Sequence, residues 1–276
     1  MERVATGIQG FDELVEGGLP AGSTTLLAGV PGAAKTIFGL HYIYNGAMNG
    51  DAGIYVSLDS SPKDLKKQAT RFGMNFDPLE QSEKLKVLFL NVPMMKVKFS
   101  MFDEIKKAVE EMNAKRLVFD NMTTFAINMD LFSMPLGYMG QTASSITLNA
   151  NFVERLNQKD ETGLQRSGSE QDTVHYTANS EKRLIYLIVE QLRDLRTTNI
   201  LIGHGNQQQN GTVTTDGVSE FAADAIIDLY NDLLGAKRVR TLAILKMRQT
   251  NHSPYIHDFE ITDKGIVVKP AEQVIK

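Results

Sequence analysis

The segment from Leu26 to Phe38 constrains this chain more than any other, because it combines an apolar run, a loop of small residues and the start of a helix. Its residues are Leu-Leu-Ala-Gly-Val-Pro-Gly-Ala-Ala-Lys-Thr-Ile-Phe. Backbone N–H groups of such a loop, together with the positive end of the following helix, can surround a polyphosphate without a basic cluster. We therefore expect a strand that ends near Ala28, a phosphate-binding loop, and a helix from about Thr36.

This loop predicts the residues that contact a ligand. Lys35 would neutralise the β and γ phosphates, and the Thr36 hydroxyl would be placed on Mg²⁺. Ala34 departs from the pattern, since glycine is usual there, and its methyl group would crowd the phosphates or shift the loop. The alternative is a glycine-rich turn that binds nothing. The expected contacts are Val30, Pro31, Gly32, Ala33, Ala34, Lys35, Thr36 and Ile37.

Short runs of Val, Ile and Leu alternate with longer segments of helical period in the rest of the chain. This alternation indicates a parallel sheet with helices on both faces. The predicted strands cover residues 24–28, 53–58, 86–90, 117–119 and 199–202. The predicted helices cover residues 36–47, 62–71, 101–113 and 181–196.

The C-terminal part has a different rhythm, with consecutive short strands at residues 225–229, 239–246, 256–261 and 266–268. Short turns between them indicate antiparallel pairing, which would add a β extension over residues 236–276 to one edge of the sheet. Residues 128–179 are instead rich in Ser, Thr, Asn, Gln and Gly, which indicates a functional insertion or a partly disordered segment. We expect the whole chain, 1–276, to form one α/β domain.

Asp120 ends the apolar run at residues 117–119. The carboxyl ends of parallel strands form the edge at which open sheets bind ligands. A carboxylate at that edge can hold the hydration shell of Mg²⁺, so Asp120 joins Thr36 as a predicted metal residue. The alternative is that Asp120 caps the turn before Asn121.

The composition excludes several classes of site. The chain has no cysteine, so disulfides, thiolate metal sites and cysteine nucleophiles are excluded. Its formal net charge of -4 gives no general attraction to nucleic acid or anionic lipid. No apolar run is long enough to cross a bilayer, and the N-terminus shows no signal or transit pattern. We therefore expect a cytoplasmic protein without a membrane contact.

Further motifs follow one another along the chain. They read TGIQGFDEL from Thr6, GGLPAG from Gly17, YNG from Tyr44, YVSLDSSP from Tyr55, FG from Phe72, EFAAD from Glu220 and KMRQTNH from Lys246. Together with the phosphate loop, they resemble the KaiC and RadA branch of the RecA-like P-loop ATPases, over nearly the whole chain outside the polar insertion. The resemblance implies the RecA-like P-loop NTPase fold, with ATP and Mg²⁺ as ligands.

The resemblance also implies that ATP is bound between the subunits of a homo-oligomer, usually a ring of six. Lys246 and Arg248 would reach phosphates held by the neighbouring subunit, with Met247, Thr250 and His252 near the same nucleotide. A cation delivered across an interface would stabilise charge on the γ-phosphoryl oxygens and link hydrolysis to assembly. The alternative for Lys246 and Arg248 is ordinary outward charge on a strand.

The catalytic carboxylate position departs from the family pattern. Family members commonly carry two glutamates where this chain has Asp59 and Ser60, and one of them is thought to polarise the attacking water. Asp59 is shorter by one methylene, and Ser60 cannot act as a base at neutral pH. Ser60 or Ser61 would in addition cap the helix that starts at Pro62. The predicted catalytic residues are Asp59, Lys35, Lys246 and Arg248.

His204 is a candidate sensor residue. It follows the strand predicted at residues 199–202, where related ATPases place a polar residue that senses the γ-phosphate. An imidazole there could donate a hydrogen bond and report hydrolysis to the loop at residues 205–217. The alternative is a solvent-exposed loop histidine.

These features predict an ATPase whose turnover is slow or impaired, since Ala34 and Asp59-Ser60 both favour binding over turnover. The nucleotide state would control ring assembly or an unidentified protein partner. One alternative is a DNA-binding RadA-type paralogue, although the basic residues of the polar insertion are offset by acidic ones. The other is an interaction scaffold that binds ATP without hydrolysing it.

Overall fold

The computed structural model describes residues 1–90, 100–127, 178–205, 213–214 and 219–269. The predicted polar insertion at residues 128–179 therefore lies outside the described residues, except for its last two. Ala178 and Asn179 are the first residues of a helix.

The strands match the apolar runs of the sequence, and each predicted strand is present with ends that shift by a few residues. The strands are β1 Arg3–Val4, β2 Leu19–Pro20, β3 Thr24–Gly29, β4 Gly53–Ser57, β5 Leu85–Phe89, β6 Arg116–Asp120, β7 Thr198–Ile202, β8 Ala225–Leu234, β9 Lys237–Met247, β10 Ile256–Thr262 and β11 Gly265–Val268. Strands β3, β4, β6 and β7 are buried along their whole length, as expected for parallel strands covered on both faces.

One nine-stranded sheet contains all strands except the β1–β2 pair, in the order β11-β10-β9-β8-β3-β7-β6-β4-β5. Strands β8, β3, β7, β6, β4 and β5 run parallel to one another. Strands β9, β10 and β11 are added in antiparallel pairs beside β8. The predicted antiparallel extension of one sheet edge is therefore confirmed.

Helices cover both faces of this sheet. They are α1 Lys35–Met48, α2 Pro62–Thr70, α3 Asp77–Gln81, α4 Ser100–Met112, α5 Met122–Ile127, α6 Ala178–Asp194 and α7 Ser219–Ala222, with a short 3-10 helix at Asp12–Val15. Apolar residues of α1, α2 and α3 belong to one buried cluster. Those of α4 and α6 belong to a second cluster, so the core has one layer on each side of the sheet.

Helix α1 packs closely on the sheet at Gly39. A Cβ atom at Gly39 would lie 3.1 Å from Val118 Cγ1, 3.2 Å from the Tyr55 ring and 3.3 Å from Ile202 Cδ1. Glycine therefore lets the helix approach three neighbouring strands. This approach brings the first turn of α1 next to the carboxyl ends of β4 and β6.

Within the described part of the chain, no helix is both long and apolar enough to cross a bilayer.

Candidate active site

The phosphate loop lies at the carboxyl end of β3, between β7 and β8 in the sheet. Its backbone adopts left-handed conformations at Gly32, with φ of 80°, and at Ala34, with φ of 73°. Ala34 is the residue immediately before α1 and makes no side-chain cap. Left-handed backbone costs a residue with a Cβ atom about 1–2 kcal/mol. The loop therefore keeps the turn that glycine would favour, at some cost in stability.

Lys35 lies against its own loop. Its Nζ donates hydrogen bonds to the carbonyl oxygens of Gly29 at 2.6 Å and Val30 at 3.0 Å. Burial lowers the pKa of Lys35, and the nearby carboxylates of Asp120 and Asp228 partly oppose that effect. The ammonium group is thus held at the mouth of the loop, where a bound polyphosphate would be a stronger partner than two neutral carbonyls.

The two predicted metal residues are in contact. Thr36 Oγ1 donates a hydrogen bond to Asp120 Oδ2 at 3.0 Å. Asp120 is 8% exposed, so its carboxylate has little contact with bulk solvent. A hydroxyl and one carboxylate suit Mg²⁺, which keeps most of its waters and binds few protein ligands. Asp120 is the last residue of β6, as the apolar run before it predicts, and its role as a metal residue stays a prediction.

Tyr55 is a member of the site that the sequence analysis missed. Its hydroxyl donates to the same Asp120 Oδ2 at 2.6 Å, and the side chain is fully buried. In the sequence, Tyr55 looks like an ordinary core residue of a strand. It comes near Asp120 only because β4 pairs with β6. Nothing in the local pattern distinguishes it from a core tyrosine.

Asp59 lies at the exposed mouth of the same cleft. Asn121 donates a hydrogen bond from its side-chain amide to Asp59 Oδ2, and the Asn121 side-chain oxygen accepts from the Thr124 backbone at 2.7 Å. Asn121 follows Asp120 directly, and its place in the sequence predicts only a turn residue. It connects the candidate base to the start of α5.

The capping interpretation of the neighbouring serines is confirmed for Ser61. This residue precedes α2, and its side-chain oxygen accepts a hydrogen bond from the Asp64 backbone N–H at 3.3 Å. Pro62 occupies the first turn, where its missing N–H is no loss. Ser60 instead donates its backbone N–H to Ser57 Oγ at 3.0 Å.

His204 is half-buried in the loop after β7, and its role as a sensor stays a prediction. Its backbone N–H donates to Thr123 Oγ1 at 3.0 Å. Burial lowers the pKa of His204, and the Lys35 charge lowers it further, against the opposing effect of Asp59 and Asp120. The next residue, Gly205, donates its N–H to the Gly29 carbonyl at 2.9 Å. The candidate sensor is therefore linked through one peptide to the phosphate loop.

Two residues of the β8–β9 pair also reach the loop, and neither was singled out from the sequence. Arg240 Nε donates to the Gly32 carbonyl at 3.2 Å. Asp228 is 8% exposed, and its Oδ1 has no hydrogen-bond partner among the described residues. Burial raises the pKa of Asp228, while the charge of Lys35 opposes this. The register of β8 against β3, in which Asp228 pairs with Ala28, brings this carboxylate beside the loop.

The segment around Lys246 and Arg248 lies at the other end of the sheet. Lys246 pairs with Ile226, whereas Leu229 pairs with Gly29 of the loop strand. These positions on β8 are separated by about 10 Å along the strand. Lys246 Nζ donates to the Ala223 carbonyl at 2.7 Å, and Arg248 contacts Asp224 at 3.3 Å, both away from the phosphate loop of the same chain.

Three further residues were predicted to contact nucleotide together with Lys246 and Arg248. They too lie at the end of the sheet away from the phosphate loop. Thr250 accepts a hydrogen bond from Arg3 at 2.7 Å, and His252 Nδ1 lies 3.1 Å from the Ser253 carbonyl oxygen. Met247 is 5% exposed and packs in the core, so its side chain is not available to a ligand. One chain therefore does not bring these residues to its own phosphate loop.

A comparison with protein-family models identifies a match to the family described as the KaiC ATPase, over residues 4–133 and 172–273. These ranges contain the phosphate loop, Asp120, His204 and the segment from Lys246 to His252. The chain belongs to the KaiC ATPase family.

Individual relatives of this KaiC family member extend over its whole length. It is 31% identical to a UPF0273 protein from Thermotoga maritima, over 99% of this chain and 98% of the relative. It is 28% identical to the circadian clock oscillator protein KaiC of Parasynechococcus marenigrum, over 98% of this chain but only 45% of that protein. The chain thus spans slightly less than half of the clock protein.

A solved structure supports the same relationship. The crystal structure of a KaiC-like protein from the hyperthermophilic archaeon Pyrococcus horikoshii has a TM-score of 0.72 and 28% sequence identity, over 98% of this chain and 99% of that chain. The RecA-like fold expected from the sequence motifs is therefore confirmed for this KaiC family member.

Proposed function

We propose that this KaiC family member binds ATP with Mg²⁺ at the phosphate loop, hydrolyses it slowly, and uses the nucleotide to join copies of the chain into a ring of six. The observation that carries the proposal is the contact of Thr36 with Asp120 at 3.0 Å beside Lys35. It places a hydroxyl, a carboxylate and an ammonium group at the carboxyl edge of the parallel sheet, where such sheets bind ligands.

The residues present suit this pair of ligands. Helix α1 begins at Lys35, directly after the loop, and the free N–H groups of a helix N-terminus are suited to binding phosphate. When bound, Mg²⁺ would neutralise charge on the β and γ phosphoryl oxygens. Lys35 would leave the Gly29 and Val30 carbonyls for the phosphates, and Thr36 with Asp120 would orient the metal and its waters.

Slow turnover follows from two features of the site. Asp59 is the only carboxylate of the Asp59-Ser60 pair, and its side chain is already engaged by Asn121. A base that must give up a hydrogen bond, and that is shorter than glutamate, is less well placed to accept a proton from an attacking water. Ala34 adds backbone strain in the loop itself, so we infer that nucleotide residence exceeds turnover.

A shared site between copies follows from the position of Lys246 and Arg248. Both cations lie at the end of the sheet opposite to the phosphate loop of their own chain, and α7, β9 and β10 each carry an exposed apolar side chain. Phe221 is 72% exposed, Leu245 46% and Ile256 64%. Apolar groups beside cations form a surface suited to a second copy. We propose that this surface meets the phosphate loop of the neighbouring subunit, so that Lys246 and Arg248 act on its nucleotide.

Calorimetric titration tests the nucleotide site. The purified chain should take up ATP in the presence of Mg²⁺, and Lys35→Ala should remove this uptake. Lys107→Ala, an exposed lysine on α4, serves as a control for general charge effects and should bind normally. An unchanged affinity in Lys35→Ala would contradict the assignment of the site.

Light scattering coupled to gel filtration tests the assembly. Addition of Mg²⁺ and ATP should increase the molar mass from that of smaller species to that of six chains, and Lys35→Ala should remain small. A molar mass that does not respond to nucleotide, at concentrations that saturate the titration, would contradict nucleotide-controlled assembly while leaving the nucleotide site intact.

A further inference from the structure

Tyr55 lies beneath the cleft, and its hydroxyl donates a hydrogen bond to Asp120, a residue of the candidate metal site. Its hydroxyl lies 2.6 Å from Asp120 Oδ2. The side chain is fully buried, so the hydroxyl has no access to bulk water. Burial raises the pKa of Tyr55 well above its usual value, and the neighbouring Asp120 raises it further. The phenol O–H therefore has the Asp120 carboxylate, rather than water, as its acceptor.

Two donors meet at the same oxygen of Asp120. Thr36 donates from above, at 3.0 Å, and Tyr55 donates from the sheet, at 2.6 Å. The side-chain hydrogen bonds described for Asp120 both end at Oδ2. Because a carboxylate is planar, two hydrogen bonds at Oδ2 restrict rotation of the group and define the direction of Oδ1. Oδ1 is then the oxygen left for the hydration shell of a metal.

The ring of Tyr55 is itself held in place. It lies under Gly39 of α1, where an added Cβ atom would be 3.2 Å from the ring edge. Strand β4 supplies its backbone and pairs with β6 through Ser57 and Asp120. A helix above and two paired strands below thus fix the position from which the hydroxyl donates, as a supporting group for a metal residue requires.

We propose that Tyr55 is a positioning residue, which orients the Asp120 carboxylate for Mg²⁺ and thereby determines how much Mg²⁺ the protein needs to bind ATP. This inference rests on the proposed function, because it requires a Mg²⁺-dependent nucleotide site. Tyr55 does not touch the nucleotide. It acts through Asp120, so its loss should weaken the contribution of the metal and spare the contacts that the loop makes to phosphate.

The chain offers a matched control in Tyr42. This residue is also a fully buried tyrosine, and its hydroxyl donates one hydrogen bond, to the Thr198 carbonyl at 2.9 Å. Thr198 begins β7, at the end of the sheet opposite to the phosphate loop. Tyr42→Phe and Tyr55→Phe therefore each remove one buried tyrosine hydroxyl. Only Tyr55→Phe removes a hydroxyl that belongs to the site.

The experiment measures the affinity of a fluorescent ATP analogue as Mg²⁺ is titrated, and again in EDTA. For Tyr55→Phe we expect the Mg²⁺ concentration at half-saturation to rise about tenfold, the lower end of the effect seen when supporting groups of metal residues are removed. The affinity in EDTA should stay within about twofold of the parent protein, a split that a general packing defect would not give. Tyr42→Phe should change neither value.

A double-substitution cycle gives a second readout that also holds if Tyr55→Phe is less stable. In an Asp120→Asn background, Tyr55→Phe should cause no further rise in the Mg²⁺ requirement. Independent effects of the two substitutions would overturn the proposal, as would a Mg²⁺ requirement within twofold of the parent or an equal loss of affinity with and without Mg²⁺. If the parent protein itself binds the analogue equally well in EDTA, the proposed Mg²⁺ site fails and not merely the role of Tyr55.

Discussion

The Lys35 ammonium group donates a hydrogen bond to the Gly29 carbonyl oxygen at 2.6 Å, so the cation of the phosphate loop bonds to the loop itself. Gly29 also accepts the Gly205 N–H at 2.9 Å. A ligand that draws Lys35 away therefore changes the hydrogen bonding of an oxygen shared with the segment that carries His204. This arrangement links the occupancy of the loop to the end of β7.

The position of Lys35 predicts how nucleotide changes the thermal stability of the protein. A ligand present at about one hundred times its dissociation constant stabilises the native state by about 2.7 kcal/mol. In Lys35→Met, melting followed by circular dichroism should show a folded protein whose midpoint no longer rises when Mg²⁺ and ATP are added. A normal rise of the midpoint in this variant would show that Lys35 is not needed for binding.

The left-handed backbone of Ala34 predicts that Ala34→Gly stabilises the protein. The gain should be about 1 kcal/mol or less, because relief of the strained conformation is partly offset by the greater freedom of glycine in the unfolded chain. Urea unfolding measures it. The matched control is Ala33→Gly, since Ala33 is fully buried and is not among the residues with positive φ. That variant should lose stability, and a loss in both would contradict the role assigned to strain.

The place of Asp59 at the mouth of the cleft predicts a separation of binding from turnover. Asp59→Asn should lower phosphate release by about 100-fold, the lower range for a general base, and leave the affinity for ATP within about threefold. Asp64→Asn is the control, because Asp64 is an exposed acid in the first turn of α2. Equal turnover in Asp59→Asn and the parent protein would assign the base to another residue.

The distance between Lys246–Arg248 and the loop predicts complementation between two inactive chains. Lys35→Ala and Arg248→Ala should each be inactive alone. Mixed subunits would contain some sites with an intact loop from one chain and an intact Arg248 from the other, so part of the ATPase activity should return. A control uses Arg238→Ala in place of Arg248→Ala, because Arg238 is an exposed arginine near the β8–β9 turn. It tests whether the loss of any arginine abolishes the ATPase activity. Activity that does not return on mixing would argue for a site within one chain.

His41 predicts a component of the pH dependence of stability. The side chain is 6% exposed, and burial lowers its pKa from 6.5 to about 4, with contact to the Lys264 backbone opposing this only in part. The folded protein therefore disfavours protonation. The stability associated with neutral His41 is complete above pH 6.5 and is lost as the pH falls toward 4, by up to about 3 kcal/mol.

The test compares His41→Leu with the parent protein by urea unfolding from pH 7.5 to pH 4.5. The difference in the free energy of unfolding should shift in favour of the variant as the pH falls, because leucine cannot be protonated. Leu40→Val changes the neighbouring, fully buried residue. Its difference in the free energy of unfolding from the parent protein should not vary with pH. A constant difference for His41→Leu as well would mean that its protonation does not contribute.

Several features of the site were predictable because they depend on neighbours in the chain. The phosphate loop was recognised from its glycines and the Lys35-Thr36 pair, since a loop between a strand and a helix needs small residues and a helix start. The Ser61 cap was predictable for the same reason, as its oxygen meets the N–H of Asp64 only three positions away. Asp120 was placed at a strand end from the apolar run before it.

Other features were not predictable because they depend on the register between strands. Tyr55 and Asp120 are 65 positions apart, and each looks ordinary in its own segment. Asp228 and Arg240 reach the loop only through the pairing of β8 with β3 and β9. The sequence alone therefore determined the order of strands and helices and the chemistry of the loop, since hydrophobic periodicity and turn residues act over a few positions. The tertiary structure decided which distant side chains share one carboxylate, and that Lys246 and Arg248 lie away from their own loop, because strand register and helix packing set those distances.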